Sequence, residues 1–131
     1  FQPVCHMSGF LGVCTPVFEI RDYAGDSSDL LITSSKLGAD LAKTLGHQNC
    51  CLMRGHGCVV VGPYMRRTVY TAIYLELNAK LQMQAEAMDK NVRFLTEGEV
   101  DEVVKTTSPA NVNRAWENWC RAADRPYRET N

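Results

Sequence analysis

The stretch LMRGHGCVVVG, from Leu52 to Gly62, decides the fold of this chain. Within it, the tripeptide GHG at residues 55–57 separates two apolar runs, Cys50 to Arg54 and Cys58 to Val61. Two β-prone runs joined by three residues that include glycine are typical of a β-hairpin or a tight strand-to-strand turn. A Gly-Pro pair then ends the second run. The sequence therefore predicts two adjacent buried strands with His56 at their connection.

Three elements are predicted before this hairpin. The segment PVFEIR, from Pro16 to Arg21, alternates apolar and polar residues, as a half-buried strand does. The polar segment from Asp22 to Asp29 predicts a surface loop. Leucines at every fourth position predict a helix from about Lys36 to Leu45, and Ser34 and Ser35 are its candidate N-caps. The first half of the chain thus alternates strands with one helix.

Three helices are predicted after the hairpin. An apolar stripe at helical spacing predicts a long helix from about Tyr64 to Lys90. Thr96 and Glu99 fit a capping box, which begins a shorter helix that ends near Thr106. A Ser-Pro pair then begins a last helix that contains both tryptophans. This order of elements predicts one domain over residues 1–131, of the α/β class, in which helices cover a sheet.

Composition narrows the class of function. The 131 residues are 45% hydrophobic and 22% charged, which is typical of a globular domain. With 14 Lys and Arg against 15 Asp and Glu, the chain has no basic surplus, so nucleic acid is not expected as a partner. The longest apolar run, Cys58 to Val61, is too short to cross a membrane. Six cysteines without zinc-type spacing favour buried free thiols in a reducing cytosol, which predicts a cytoplasmic protein.

Three residues are candidates for chemistry. His56 lies between two glycines at a rigid strand end, which suits a metal ligand or an acid/base group; the alternative is a histidine that only caps the turn. His6 lies in an apolar, glycine-containing segment, where it either lines a pocket or is a hydrogen-bonded core residue. Arg54 precedes the GHG tripeptide, and it either binds an anionic substrate or pairs with a carboxylate such as Glu19.

Taken together, these features resemble the class II aldolase/adducin family, and within it the decarboxylase-like and dehydratase-like members. The resemblance covers nearly the whole chain. Besides the Leu52 to Gly62 stretch, five further segments carry it: CHMSGFLG (5–12), PVFEIRD (16–22), the helix before Leu45-Gly46, YLELNAKLQ (74–82) and RAWENWCR (114–121). It implies a three-layer α/β/α fold with a central mixed, largely antiparallel sheet. It also implies a cyclic homotetramer, with active sites near the subunit interfaces.

The resemblance also implies a metal centre. Family members bind a divalent metal, typically Zn2+, with Mn2+ as another candidate, through three histidines. Two of them come from an HxH motif, and the third corresponds to His56. No HxH occurs in this sequence. The expectation is therefore that the pair lies upstream of Phe1, and that this chain is the C-terminal portion of a class II aldolase/adducin-like domain.

The resulting hypothesis is a zinc-dependent lyase that acts on a small oxygenated carboxylate. It decarboxylates this substrate, or cleaves a C–C or C–O bond, through an enolate that the metal stabilises. In this hypothesis His6 forms a hydrogen bond to the substrate or transfers a proton. Arg54 anchors the substrate carboxylate, and His56 is a metal ligand. The tail, with Tyr127, is expected to complete the pocket of a neighbouring subunit.

Two alternatives stay open. One is a non-catalytic, adducin-like assembly or binding protein that has lost the metal site and keeps His56 as a relic. The other is a new metal site built within this chain from His6, His56 and one of Glu19 or His47.

Overall fold

Three strands form the centre of the computed structural model, which describes residues 1–88 and 91–124. They are β1 (Val17–Phe18), β2 (Cys50–Met53) and β3 (Gly57–Val60), in the spatial order β1-β2-β3. Strand β1 runs parallel to β2, with Phe18 opposite Met53. Strand β2 runs antiparallel to β3, with Met53 opposite Gly57. The predicted hairpin and the mixed sheet are confirmed. Of the two strand pairings, one is parallel and the other is antiparallel.

Six helical segments accompany the sheet within the described residues. The caps predicted for two of them are confirmed: the Ser34 hydroxyl accepts a hydrogen bond from the Leu37 amide, and Thr96 and Glu99 form a reciprocal capping box. Both caps satisfy amide groups that the first turn of a helix leaves without partners. The segments are a 3-10 helix (His6–Leu11), α1 (Arg21–Ala24), α2 (Ser35–Leu45), α3 (Met65–Met88), α4 (Glu97–Thr106) and α5 (Pro109–Ala123).

Two adjacent cysteines in β2 divide the core into two layers, because successive strand residues point to opposite faces of a sheet. Cys50 packs with residues of the 3-10 helix and α3, among them Leu11 and Leu75. Cys51 packs with Phe18 and with the leucine face of α2. Helices therefore cover both faces, which confirms the three-layer α/β/α arrangement. Burial raises the pKa of the Cys50 thiol to about 12 and also raises the pKa of Cys51, so both stay neutral and pack as small apolar groups.

The structure departs from the sequence prediction in strand β1 and in the exposure of the cysteines. Strand β1 has two residues rather than six, because the chain turns into α1 at Arg21. Cys58 is exposed rather than buried, and Cys14 and Cys120 are exposed free thiols as well. The predicted end of the long helix at Lys90, and the tail with Tyr127, lie outside the described residues.

The first eight residues are bound to α3 by a cluster that we call the N-terminal anchor, formed by Gln2, Val4, Ser8 and Asn78. The Val4 amide and the Ser8 hydroxyl donate to Asn78 Oδ1 at 2.9 and 2.7 Å, and Asn78 Nδ2 donates to the Gln2 carbonyl at 2.8 Å. Asn78 and Ser8 are fully buried. A buried amide that meets three partners holds this segment in one position.

The 3-10 helix lies against α4 at a glycine. A Cβ atom placed on Gly9 would lie 2.5 Å from Val103 Cγ1, well inside contact distance. Only glycine therefore allows the two segments this close approach. Within the described residues, no helix is both long enough and apolar enough to span a bilayer.

Candidate functional site

His56 lies at the tip of the β2–β3 hairpin. Gly55 and Gly57 have φ values of 67° and 143°, a region that side chains other than glycine rarely adopt, so both flanking positions require glycine. The His56 amide donates to the Met53 carbonyl at 3.0 Å, which fixes the backbone of the turn. The imidazole is exposed and has no hydrogen-bond partner among the described residues. Both of its nitrogens are therefore available to bind a ligand.

Arg54, Glu19 and Arg21 form an ionic cluster at the same end of the sheet as His56. Since β1 and β2 are parallel, their carboxyl ends meet there. Glu19 Oε2 lies 2.5 Å from Arg54 Nε and 3.0 Å from Arg21 Nη2. The hydrogen bonds from Arg54, and then those from Arg21, lower the pKa of Glu19 to about 2. Two cations and one anion leave the cluster with a net positive charge.

For Arg54, the structure shows the pairing alternative. Its side chain is 39% exposed, and Glu19 contacts it through Nε. No ion pair engages its terminal Nη groups within the described part of the chain. A guanidinium donates through five N–H groups, so one carboxylate leaves it able to bind another. The role of Arg54 as a substrate anchor stays a prediction.

His6 lies on a different part of the molecule. It is exposed at the first position of the 3-10 helix, and it lines a cavity of about 260 Å³ with Leu95, Glu99 and Val103. Neither His56 nor Arg54 lines this cavity. The structure thus brings Arg54 and His56 to one end of the sheet and does not bring His6 to them.

The described residues do not form a metal site on their own. Over residues 1–88 and 91–124, no three His, Cys, Asp or Glu side chains are placed to share an ion. The hypothesis of a new site built from His6, His56 and either Glu19 or His47 is therefore wrong. His47 is exposed in the loop after α2. At the hairpin turn the described residues offer one imidazole, that of His56, and a metal bound there needs further donors from elsewhere.

Sequence reasoning missed two features of the structure. One is Asn78, whose buried amide contacts three residues that lie more than 60 positions away. An asparagine directly after the apolar stripe residue Leu77 was the available signal. The other is a polar cleft along α5, described below. Glu76, which directly precedes Leu77, pairs with Lys80 at 2.7 Å on the surface.

Comparison with known proteins identifies the family. The family model "Class II Aldolase and Adducin N-terminal domain" matches residues 6–83. The decarboxylase tropJ of Talaromyces stipitatus is 33% identical over 143 aligned residues, which cover 94% of this chain and 53% of that protein. Since the match covers more than half of its residues, this chain belongs to the class II aldolase and adducin family. It spans about half the length of the curated relative.

A solved structure supports the fold. YgbL of Escherichia coli, provisionally described as an aldolase, epimerase or decarboxylase, superposes with a TM-score of 0.57 at 22% identity. The superposition covers 79% of this chain and 44% of that one. At this identity the likeness concerns the fold alone, and it agrees with the three-layer arrangement of helices and sheet.

Proposed function

We propose that the protein containing this chain is a metal-dependent lyase that decarboxylates a small oxygenated carboxylate. In this reaction the bond between the carboxyl carbon and its neighbour breaks, CO2 leaves, and a proton takes its place. Membership of the family and the decarboxylase relative support the reaction class. The metal, zinc or another divalent ion such as manganese, is part of the proposal, as are the tetramer and the cytoplasmic location.

The observation that carries the proposal is the accessible imidazole of His56 beside a cluster with net positive charge. Two glycines with positive φ form this turn, a backbone that glycine adopts readily, and they leave the imidazole between them unobstructed. An imidazole with no protein partner is suited to bind a cation. We assign His56 as one metal ligand, with the other donors supplied by residues outside the described set.

The neighbouring arginine supplies a second function. Arg54 is oriented by Glu19 through Nε, and its Nη groups are the donors for a substrate carboxylate. A divalent metal, when bound, supplies Lewis-acid stabilisation of the negative charge that develops on a substrate oxygen. His6 is assigned hydrogen bonding or proton transfer, and because it lies away from His56 in this chain, the proposal places it in the pocket of an adjacent subunit.

The experiment uses the full-length protein and measures CO2 release from a panel of hydroxy and oxo carboxylic acids. We expect release to stop after chelation and to return on addition of Zn2+ or Mn2+. His56→Ala is expected to lose at least about 100-fold in turnover, because a metal ligand is removed. His47→Ala is the matched control, since it removes an exposed loop histidine, and it should keep full turnover.

The adducin-like alternative predicts a different result. It is favoured by one observation, that no three candidate donors converge within the described part of the chain. Under this alternative no acid in the panel is decarboxylated, and neither histidine variant changes the measured release of CO2. Turnover that survives His56→Ala undiminished contradicts the metal-dependent proposal.

A further inference from the structure

An open cleft lies between the 3-10 helix, α3 and α5, and its lining includes neither His56 nor Arg54. It encloses about 330 Å³, near the lower end of the range for small-molecule sites. Met7 comes from the 3-10 helix and Tyr74 from α3. The other described lining residues belong to α5: Asn111, Arg114, Ala115, Asn118 and Arg121.

The spacing of the α5 residues explains why they share one side of the cleft. Positions 111, 114, 118 and 121 recur at intervals of three and four, so their side chains form one stripe on the helix. The apolar face of α5 lies beside this stripe and packs on α3, with Val112 1% exposed and the Trp119 ring 6.1 Å from the Tyr74 ring. This packing holds the polar stripe beside the 3-10 helix.

Tyr70 contacts both residues of the opposite wall of the cleft, Tyr74 and Met7. The Tyr74 ring packs at 4.6 Å from the Tyr70 ring, between centroids. The Tyr70 hydroxyl donates a hydrogen bond to the Met7 sulfur at 3.8 Å. Tyr74 and Met7 therefore present a fixed, largely apolar surface to the carbon part of a ligand.

The charge of the cleft is positive and uncompensated. Arg114 and Arg121 contribute two guanidinium groups, and no carboxylate from residues 1–88 or 91–124 lines the cavity. Arg21, Arg54, Lys80 and Lys105 pair with acids, whereas neither Arg114 nor Arg121 lies within 4.0 Å of a described carboxylate.

The nearest helical acid leaves this charge unpaired. Glu117 lies four residues before Arg121, a spacing at which helical ion pairs form, yet the two are not paired. The side-chain amides of Asn111 and Asn118 make no hydrogen bond within the described chain either. The cleft thus combines unpaired cations with unpaired amide donors.

We propose that this cleft binds a small oxyanion ligand, a carboxylate or a phosphate ester. Guanidinium groups donate two parallel hydrogen bonds to either kind of oxyanion, and the asparagine amides add neutral donors. Tyr74 and Met7 contact the ligand's carbon atoms. None of its described lining residues belongs to the hairpin turn, so binding here is tested separately from the proposed metal site.

Isothermal titration of the full-length protein tests the site, with inorganic phosphate and succinate as separate probes at low salt. We expect saturable binding of at least one probe. Phosphate binding identifies a phosphate ester as the ligand class, and succinate binding identifies a carboxylate. The double variant Arg114→Gln with Arg121→Gln should weaken the affinity at least about tenfold, because it removes the charge-assisted hydrogen bonds.

Two controls separate this cleft from general charge effects. Arg93→Gln removes an exposed arginine that does not line the cavity, and this variant should bind phosphate and succinate with the affinity of the wild type. His56→Ala should also bind normally, which distinguishes this site from the proposed metal site. The proposal is overturned if neither probe saturates up to about 10 mM, or if the double variant binds as tightly as the wild type.

Discussion

The N-terminal anchor and the GHG turn are both fixed in position, but their polar groups have opposite surroundings. In the anchor, Asn78 is fully buried and its amide meets three partners. At the turn, His56 is exposed and meets none among the described residues. Satisfied, buried polar groups stabilise a fold, whereas accessible, unsatisfied ones on a fixed backbone are available for binding.

The largest effect is expected from breaking the anchor. Asn78→Ala leaves the Val4 amide and the Gln2 carbonyl without partners, and it removes one of the hydrogen bonds of the Ser8 hydroxyl, which keeps its bond to the Cys5 carbonyl. We expect the free energy of unfolding to fall by about 3 kcal/mol or more, since each buried unsatisfied group costs about 1–3 kcal/mol. Urea unfolding followed by circular dichroism measures the loss. Asn118→Ala, on the exposed side of α5, is the control and should stay within about 0.5 kcal/mol of the wild type.

A smaller effect is expected from the contact that positions the 3-10 helix. Gly9→Ala places a methyl group against Val103, a stiff β-branched side chain, so one of the two segments must shift. We expect a loss of about 1–3 kcal/mol in the same unfolding assay. Gly98→Ala has nothing within 4 Å of its added atom and should be neutral or slightly stabilising. Equal effects of the two substitutions would contradict the close approach at Gly9.

The smallest effect concerns the ionic cluster beside the turn. Because its two arginine partners hold the pKa of Glu19 at about 2 against an ordinary value of 4.5, Glu19 contributes stability that is fully present above pH 4.5. That contribution is lost as the pH falls toward 2. The difference in urea midpoint between the wild type and Glu19→Gln should therefore shrink over this interval. Glu117→Gln, which removes an acid without a described ion pair, should show no such trend, and a constant difference for Glu19→Gln would argue against the pairing.

Sequence reasoning succeeded where the signal is local. The GHG hairpin and the caps at Ser34 and Thr96 depend on residues within a few positions of one another, and all three are confirmed. The family was identified from such local segments. The three-layer arrangement followed from the family and is confirmed by the opposite directions of Cys50 and Cys51.

Sequence reasoning failed where the structure depends on contacts between residues that are distant in the sequence. The early end of β1, the burial of Asn78 and the cleft along α5 require knowledge of which elements pack together. For Arg54, the sequence left two roles open, and the parallel pairing of β1 with β2 brought it to Glu19. A single histidine between glycines also cannot reveal the companion ligands of the proposed metal site, since the proposal places them outside the described residues.

The most direct test of the central claim, that His56 holds a metal ion, is the metal content of the purified full-length protein. Mass spectrometry of the elements should find about one zinc or manganese ion per chain in the wild type and in His47→Ala. In His56→Ala it should find at least about tenfold less. A wild type without bound metal, or a His56→Ala variant that retains the full amount, would contradict the account.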